Sequence, residues 1–392
     1  MKTKITIMLI IACFFSACKK NYVITLQNNQ KGKLFSEKEL YIYKEKKFEL
    51  DSISAPLPKY MQFLIIDGIE VLTFLNTFDS SIYLYDYEKC CFIKKYSFKQ
   101  DTPNEIRNPG AYFIIDEDST YILDMAKMSL SLLNLKKDSL LYVVSLKGTE
   151  GKNWPKKLPQ YALKTSSPIY KTGKKLILTG ALFWSIPSND INKFHFSAHV
   201  NTDNGKMTFH HQYPEEVYSH DVNWEGGLQT VANVAITPTG KIVYSFPPSH
   251  NLYIANIDSD DYISLYGGSN FAGNILSIDY ADKRKTPREK ILENYIQQDM
   301  YGPIIYDPHQ HVFYRFLYKK VANKKTNLSI QEKDICIILM DEDFKYLGES
   351  IIGNGREWNT NNSFVTPDGL CVEYIADKTN EDYLKFKVFK IK

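Results

Sequence analysis

The chain has 392 residues, 44% of them hydrophobic and 24% charged, with a formal net charge of +3. That apolar content excludes a disordered chain and suffices for a large core, built as two ordinary domains or as one large β architecture. Near-neutral charge excludes an electrostatic nucleic-acid binder, and six cysteines at this length exclude a disulfide scaffold.

At the start of the chain, Lys2 and Lys4 precede an apolar run from Ile5 to Phe15, and Phe15-Ser16-Ala17-Cys18 follows. A spanning helix needs roughly 20 apolar residues, whereas this run has eleven, so residues 1–17 read as a bacterial lipoprotein signal with Cys18 as the lipidation site. Phe15 stands where Leu is usual, and simple cleaved secretion is the second reading. Loss of Lys2 and Lys4 leaves 46 basic against 45 acidic residues, a net charge of +1. Residues 18–38 are expected as a lipidated tether and residues 39–392 as the folded body. Its attachment to membrane would rest on the acyl chains alone.

A repeat dominates the body. Phe63 to Ile66, the turn Asp67-Gly68 and Glu70 to Phe74 form the first short hairpin, and five more follow, turning at Asp116-Glu117-Asp118, Thr172-Gly173, Pro238-Thr239-Gly240, Asp307-Pro308 and Pro367-Asp368-Gly369. Successive turns lie 49, 57, 67, 67 and 62 residues apart, a period that marks stacked structural units. Second hairpins follow five of them: Ile82 to Tyr87 with Cys91 to Phe98, Leu130 to Leu135 with Leu140 to Leu146, Phe194 to Val200 with Met207 to Gln212, Leu252 to Ile257 with Tyr262 to Tyr266, and Ile335 to Met340 with Phe344 to Ile351. Two hairpins make one four-stranded blade, and six units make an all-β six-bladed propeller. The sixth unit ends on a single strand, Tyr383 to Ile391, so a strand near Glu39 to Leu50 is expected to complete it and close the ring. Two tandem β-sandwiches are the structural rival, and the repeat spacing favours the ring.

Between the fourth and fifth units, Thr286-Pro287-Arg288-Glu289 reads as a capping box that opens a helix near 286–300, with Ile291, Leu292, Tyr295 and Ile296 as its apolar stripe. Cys90 and Cys91, as strand neighbours, point to opposite faces and read as packing residues. Spacing leaves a long-range Cys336 to Cys371 bridge open.

Through Phe15-Ser16-Ala17-Cys18 and the repeated region, the chain resembles the uncharacterised six-bladed β-propeller lipoproteins of Bacteroidota. Asn108-Pro109-Gly110 ahead of Phe113-Ile114-Ile115-Asp116, with Tyr121-Ile122-Leu123-Asp124 after it, looks like the blade pattern of NHL-type propellers, and Gly353-Asn354-Gly355 ahead of Phe364 and Pro367 echoes it. This resemblance implies a lipid-anchored envelope protein and brings no catalytic motif. Surface-displayed relatives carry an acidic run after the cysteine; Lys19-Lys20-Asn21 does not match it, which favours attachment at the outer membrane facing the periplasm.

In such a ring, the connections between blades and those joining second to third strands share one face. Trp154, Trp224 and Trp358 fall between blades and Trp184 inside blade three, so all four tryptophans are expected on that face as candidate ligand contacts, suited to sugars, apolar peptide side chains or a partner protein. Asp221 and Glu225 flank Trp224, and Arg356 and Glu357 precede Trp358; these four complete the candidate set. A plain packing role, with each Trp plugging a blade junction, is the competing reading.

His195 with His199, His210-His211 and His309-x-His311 lack metal-site spacing and read as solvated strand residues. Asn108, Asn233 and Asn362 mark the starts of innermost strands, where calcium-dependent propeller hydrolases hold their ion. Neutral amides alone attract a dication weakly, so no metal or cofactor is expected. The expected function is a monomeric binding or scaffolding module for a glycan, peptide or envelope protein. The alternative is a polysaccharide hydrolase or lyase using Asp221 with Glu225 or Glu357.

Overall fold

The computed structural model describes residues 23–54, 58–98, 106–148, 157–182, 191, 193–219, 222–225, 227–257, 259–280, 285–321, 329–376 and 381–392. Cys18, Trp154, Trp184 and Asp221 lie outside them.

Six antiparallel sheets stand in a ring as the blades of a propeller. Blade one comprises Met61–Ile66, Ile69–Asn76, Ser81–Asp86 and Cys91–Ser97. Blade two comprises Pro109–Asp116, Ser119–Asp124, Ser129–Asn134 and Ser139–Ser145. Blade three runs Tyr170–Thr172, Lys175–Ala181, His195–Asn201 and Met207–Gln212, with Gln160–Tyr161 paired to the far end of its second strand. Blade four holds Asn233–Ile236, Lys241–Ser245, Asn251–Asn256 and Tyr262–Tyr266. Blade five holds Met300–Asp307, Val312–Tyr318, Asp334–Asp341 and Tyr346–Asn354. Each first strand lines the central channel.

Blade six closes the ring. Trp358–Thr366, Gly369–Tyr374 and Tyr383–Ile391 come from the end of the chain, and Leu40–Glu49 supplies the fourth strand, pairing from Leu40 opposite Ile391 to Glu49 opposite Tyr383. Its inward residue Phe48 is fully buried against Tyr85, Tyr87 and Phe386, so the strand ties blade six to blade one through its side chains as well as its backbone.

Local chemistry explains the strand phase. Asp67 (φ 50°) and Gly68 (φ 79°) both take the left-handed conformation of a tight primed turn, which matches the twist of the flanking strands. Middle strands are sandwiched between neighbouring blades and bury nearly every residue, as Ser81–Asp86 and Val312–Tyr318 do, whereas the outer strand Cys91–Ser97 is largely exposed. The core therefore lies between blades: Leu84 with Ile122, Phe196 with Tyr244, and Leu339 with Leu370 belong to shared inter-blade clusters.

Several expectations change in detail. The helix is Arg288–Gln297, with Pro287 rather than Thr286 at its N-cap and no side-chain cap bond; the Thr286 hydroxyl instead accepts from the amide of Asn223. Tyr295 and Ile296 are its buried side chains. Cys336 and Cys371 are both free and buried, and they pack in separate places: Cys336 lies beside Glu349, and Cys371 lies beside Tyr87. Cys91 is exposed and does not pack: Cys90 sits in the turn with φ 54°, and Cys91 opens the exposed outer strand. From Val23 onward the segment expected as a tether is fastened to the ring. Thr25–Leu26 pairs with Ile275–Leu276 in the connection from blade four to blade five. The Asn28 amide donates to the Ser269 and Ala272 carbonyls, and Glu37 and Lys38 donate to Leu347. No helix among the described residues is long and apolar enough to cross a membrane.

Candidate functional site

On the loop face, the first strands of blades four, five and six begin at Asn233, Met300 and Trp358. Where they diverge, the channel mouth opens into a cavity of about 260 Å³. Tyr301, Gly302 and Pro303 form one wall, and Trp358, Asn359, Thr360 and Asn361 form the next. Tyr295, from the helix between blades four and five, hangs over the rim with Tyr318 and Lys333. Deeper in the channel a second recess of about 250 Å³ is lined by Phe63, Phe113, Tyr170 and Phe364. Ser166 and Ser363 also line it, and their buried hydroxyls have no hydrogen-bond partner among the described residues.

The helix owes its place to Lys333. All three ammonium protons are directed at its last carbonyls, those of Tyr295, Ile296 and Gln298, where the helix dipole favours a cation. Burial draws the Lys333 pKa down to about 7, while the Asp299 carboxylate pulls the other way.

Lys164 reaches the mouth from the opposite side. It opens a tight turn closed by reciprocal backbone bonds between Lys164 and Ser167. Thr165 accepts from Met61 N–H and donates to Asn362, while Ser166 N–H donates to the Asn361 carbonyl. The turn is thus fixed to the starts of blades one and six. Its ammonium has no hydrogen-bond or ion-pair partner among the described residues, and burial alone brings the pKa down to about 8. Behind the Asn359 wall lies Glu373, 1% exposed, whose carboxylate accepts from Asn359 at 2.6 Å and Asn362 at 2.8 Å. With no cation beside it, burial raises its pKa to about 7.

The candidates named from sequence are distributed differently. Trp224 is 2% exposed, sealed in the core between blades three and five with its indole N–H donated to Val217. It presents no ring face outward. Trp358 is likewise buried, donates to the Ile352 carbonyl and lines the mouth with one edge. Arg356 is exposed and paired with Glu332, and Glu357 accepts the Asn354 N–H within its own turn. Glu225 is half-buried, and neither it nor Glu357 lines the cavity. Asn233 lines the mouth, and Asn362 is committed to Glu373 and the Pro58 carbonyl.

The histidines also require correction. His199 and His211 are 2% and 0% exposed and not solvated, because blade four covers the face of blade three that carries them. His199 stacks on His210 with ring centroids 4.2 Å apart, and neither of its ring nitrogens has a partner among the described residues. His309 and His311 are exposed. No group of three or more His, Cys, Asp or Glu among the described residues is arranged to hold a metal ion.

Residues 37–351 match the profile of a family described as a domain of unknown function (DUF4221). No curated protein matches the chain by sequence. Among solved structures, a DUF4221 member from Bacteroides vulgatus superposes with a TM-score of 0.76 at 18% identity, covering 91% of this chain and 99% of that one. A protein of Bacteroides fragilis superposes with a TM-score of 0.53 at 12% identity, covering 90% and 95% respectively. At these identities the likeness establishes the six-bladed fold.

Proposed function

This chain belongs to the DUF4221 family, and we propose that within that fold it is a ligand-binding module of the cell envelope, taking a glycan, a peptide or a partner protein's side chain at the channel mouth. One observation carries the reading: a rigid recess in which tyrosine rings, asparagine amides and an unpaired ammonium converge, the usual make-up of a small-molecule site. Among the described residues no pair of carboxylates lines the recess, which suits binding better than hydrolysis or elimination. The lipoprotein signal supports an anchor at Cys18 and a place at the outer membrane, facing the periplasm.

The test is a glycan and peptide array probed with residues 19–392 while product release is followed in the same wells. Binding without turnover supports the module. Turnover would overturn it in favour of catalysis. For the anchor, palmitate labelling that disappears in Cys18→Ser is the expected result, and labelling that persists would refute it.

A further inference from the structure

We propose that the ligand of the channel mouth carries an anionic oxygen group, and that the Lys164 ammonium is its anchor. This rests on reading the mouth as a binding site and specifies the ligand's chemistry. Among the described residues the lining includes two lysines and no Asp or Glu. One of the two, Lys333, has all its protons engaged by the helix carbonyls. That leaves Lys164, among the described residues, as the one cation in the wall with its donors unspent, beside lining groups that are otherwise neutral.

A surface lysine without a partner is ordinary, because water solvates it. Lys164 is different in two respects. Its backbone is pinned on both sides of the channel, by Thr165 to Met61 and Asn362 and by Ser166 to Asn361, so little positional freedom remains to be lost on binding. The residue is also half-buried, with no carboxylate beside its ammonium among the described residues, and burial is why its pKa falls to about 8. A carboxylate, sulfate or phosphate oxygen would supply the missing partner through a charge-assisted bond in a low-dielectric setting. Neutral ligands would leave that ammonium unpaired.

Proton uptake follows. The other titratable groups lining the mouth are Lys333 and the phenols of Tyr295, Tyr301 and Tyr318. Burial raises all three phenols, Tyr318 to about 12, so they stay neutral and supply no counter-charge. An anion that docks on Lys164 therefore raises its pKa and draws in a proton when binding occurs near pH 8.

Glucuronate and glucose share a ring that the mouth can hold and differ in one carboxylate. The unlipidated chain, residues 19–392, is titrated with each, while NMR follows the Trp358 indole N–H as a report of occupancy and the Lys164 side chain as a report of charge. Expected are shifts of both signals by glucuronate, at least about tenfold tighter binding than glucose, and loss of that advantage in Lys164→Met. Because the substitution removes a buried charge, the melting temperature of Lys164→Met should hold or rise. If both sugars shift Trp358 equally and Lys164→Met changes nothing, the anionic anchor is refuted while the site stands. If neither sugar moves Trp358, the inference and the channel-mouth reading both fall.

Discussion

Arg315 provides the sharpest test of what holds the ring together. It is 0% exposed in the second strand of blade five, and its partners lie in blade four and the connections around it. All five N–H groups are directed: Nε to the Ser245 hydroxyl, Nη1 to the carbonyls of His250 and Gly267, and Nη2 to those of Ser249 and Asn251. The guanidinium carbon lies 3.8 Å from the centre of the Tyr301 ring. No carboxylate is among these partners. When a buried ion pair is replaced by apolar residues, both charges leave together and stability often rises. Here the acceptors are main-chain carbonyls, which no side-chain substitution removes.

In Arg315→Met, the His250 carbonyl keeps the Gly267 N–H, whereas the Ser249 and Gly267 carbonyls lose their partner. Two orphaned acceptors at about 1–3 kcal/mol each, partly offset by relief of the desolvated charge, give a net loss of about 1–4 kcal/mol. With an unfolding entropy of about 2.1 cal/mol/K per residue, that loss lowers the melting temperature of the 392-residue chain by about 1–5 °C. Arg315→Lys should fall between, since three donors cannot serve five acceptors. Differential scanning calorimetry on the three proteins decides the matter. A melting temperature for Arg315→Met at or above wild type would refute the argument.

Four further outcomes are expected. His199→Phe keeps the stack on His210 and removes two unpartnered nitrogens, so it should stabilise by about 1–2 kcal/mol at pH 7, read by urea denaturation; a destabilised variant would contradict this. Burial holds His199, His211 and His250 at about 3, 4 and 4, below their unfolded value, so they stay neutral while the unfolded chain takes up protons. Stability present above about pH 6.5 is therefore lost as pH falls towards 4, on the order of 2 kcal/mol per histidine, and His199→Phe should flatten this acid limb in melts across pH 4–7. Glu373 has the opposite sign: its raised pKa of about 7 contributes stability below the unfolded carboxyl value that is lost as pH rises through 7, and Glu373→Gln should remove that loss at pH 8. Phe48→Ala should cost about 3–5 kcal/mol and expose the closing edge, detectable as self-association by sedimentation, and a monomer of wild-type stability would count against the closure's role.

Much of the ring was legible because its signals are local. Asp67-Gly68 and Pro238-Thr239-Gly240 reveal turns in four residues, and the missing partner of Tyr383–Ile391 implies a strand from the other end of the chain. The helix was legible from its apolar stripe, though its cap was not, since Thr286 is engaged by Asn223, 63 residues away in sequence. The mouth was not legible. Lys164 resembles any solvated lysine until Thr165 meets Asn362, 197 residues distant, and the turn is carried into the channel. Tryptophans drew the eye for the opposite reason: indole rings are conspicuous in sequence, but whether one faces a ligand or a neighbouring blade is decided by packing, and Trp224 went to the blade.

The N-terminal segment docked beside blades four and five also sets a leash. Val23 lies five residue steps after Cys18, a reach of at most about 18 Å when fully extended. With the lipid we propose at Cys18, the bilayer would lie within that reach of the connection from blade four to blade five, on the side where the channel mouth also opens. Solutes and slender chains can pass through such a gap, while the far face, where the hairpin turns expose Ile65, Ile69 and Ile115, stays open to larger partners.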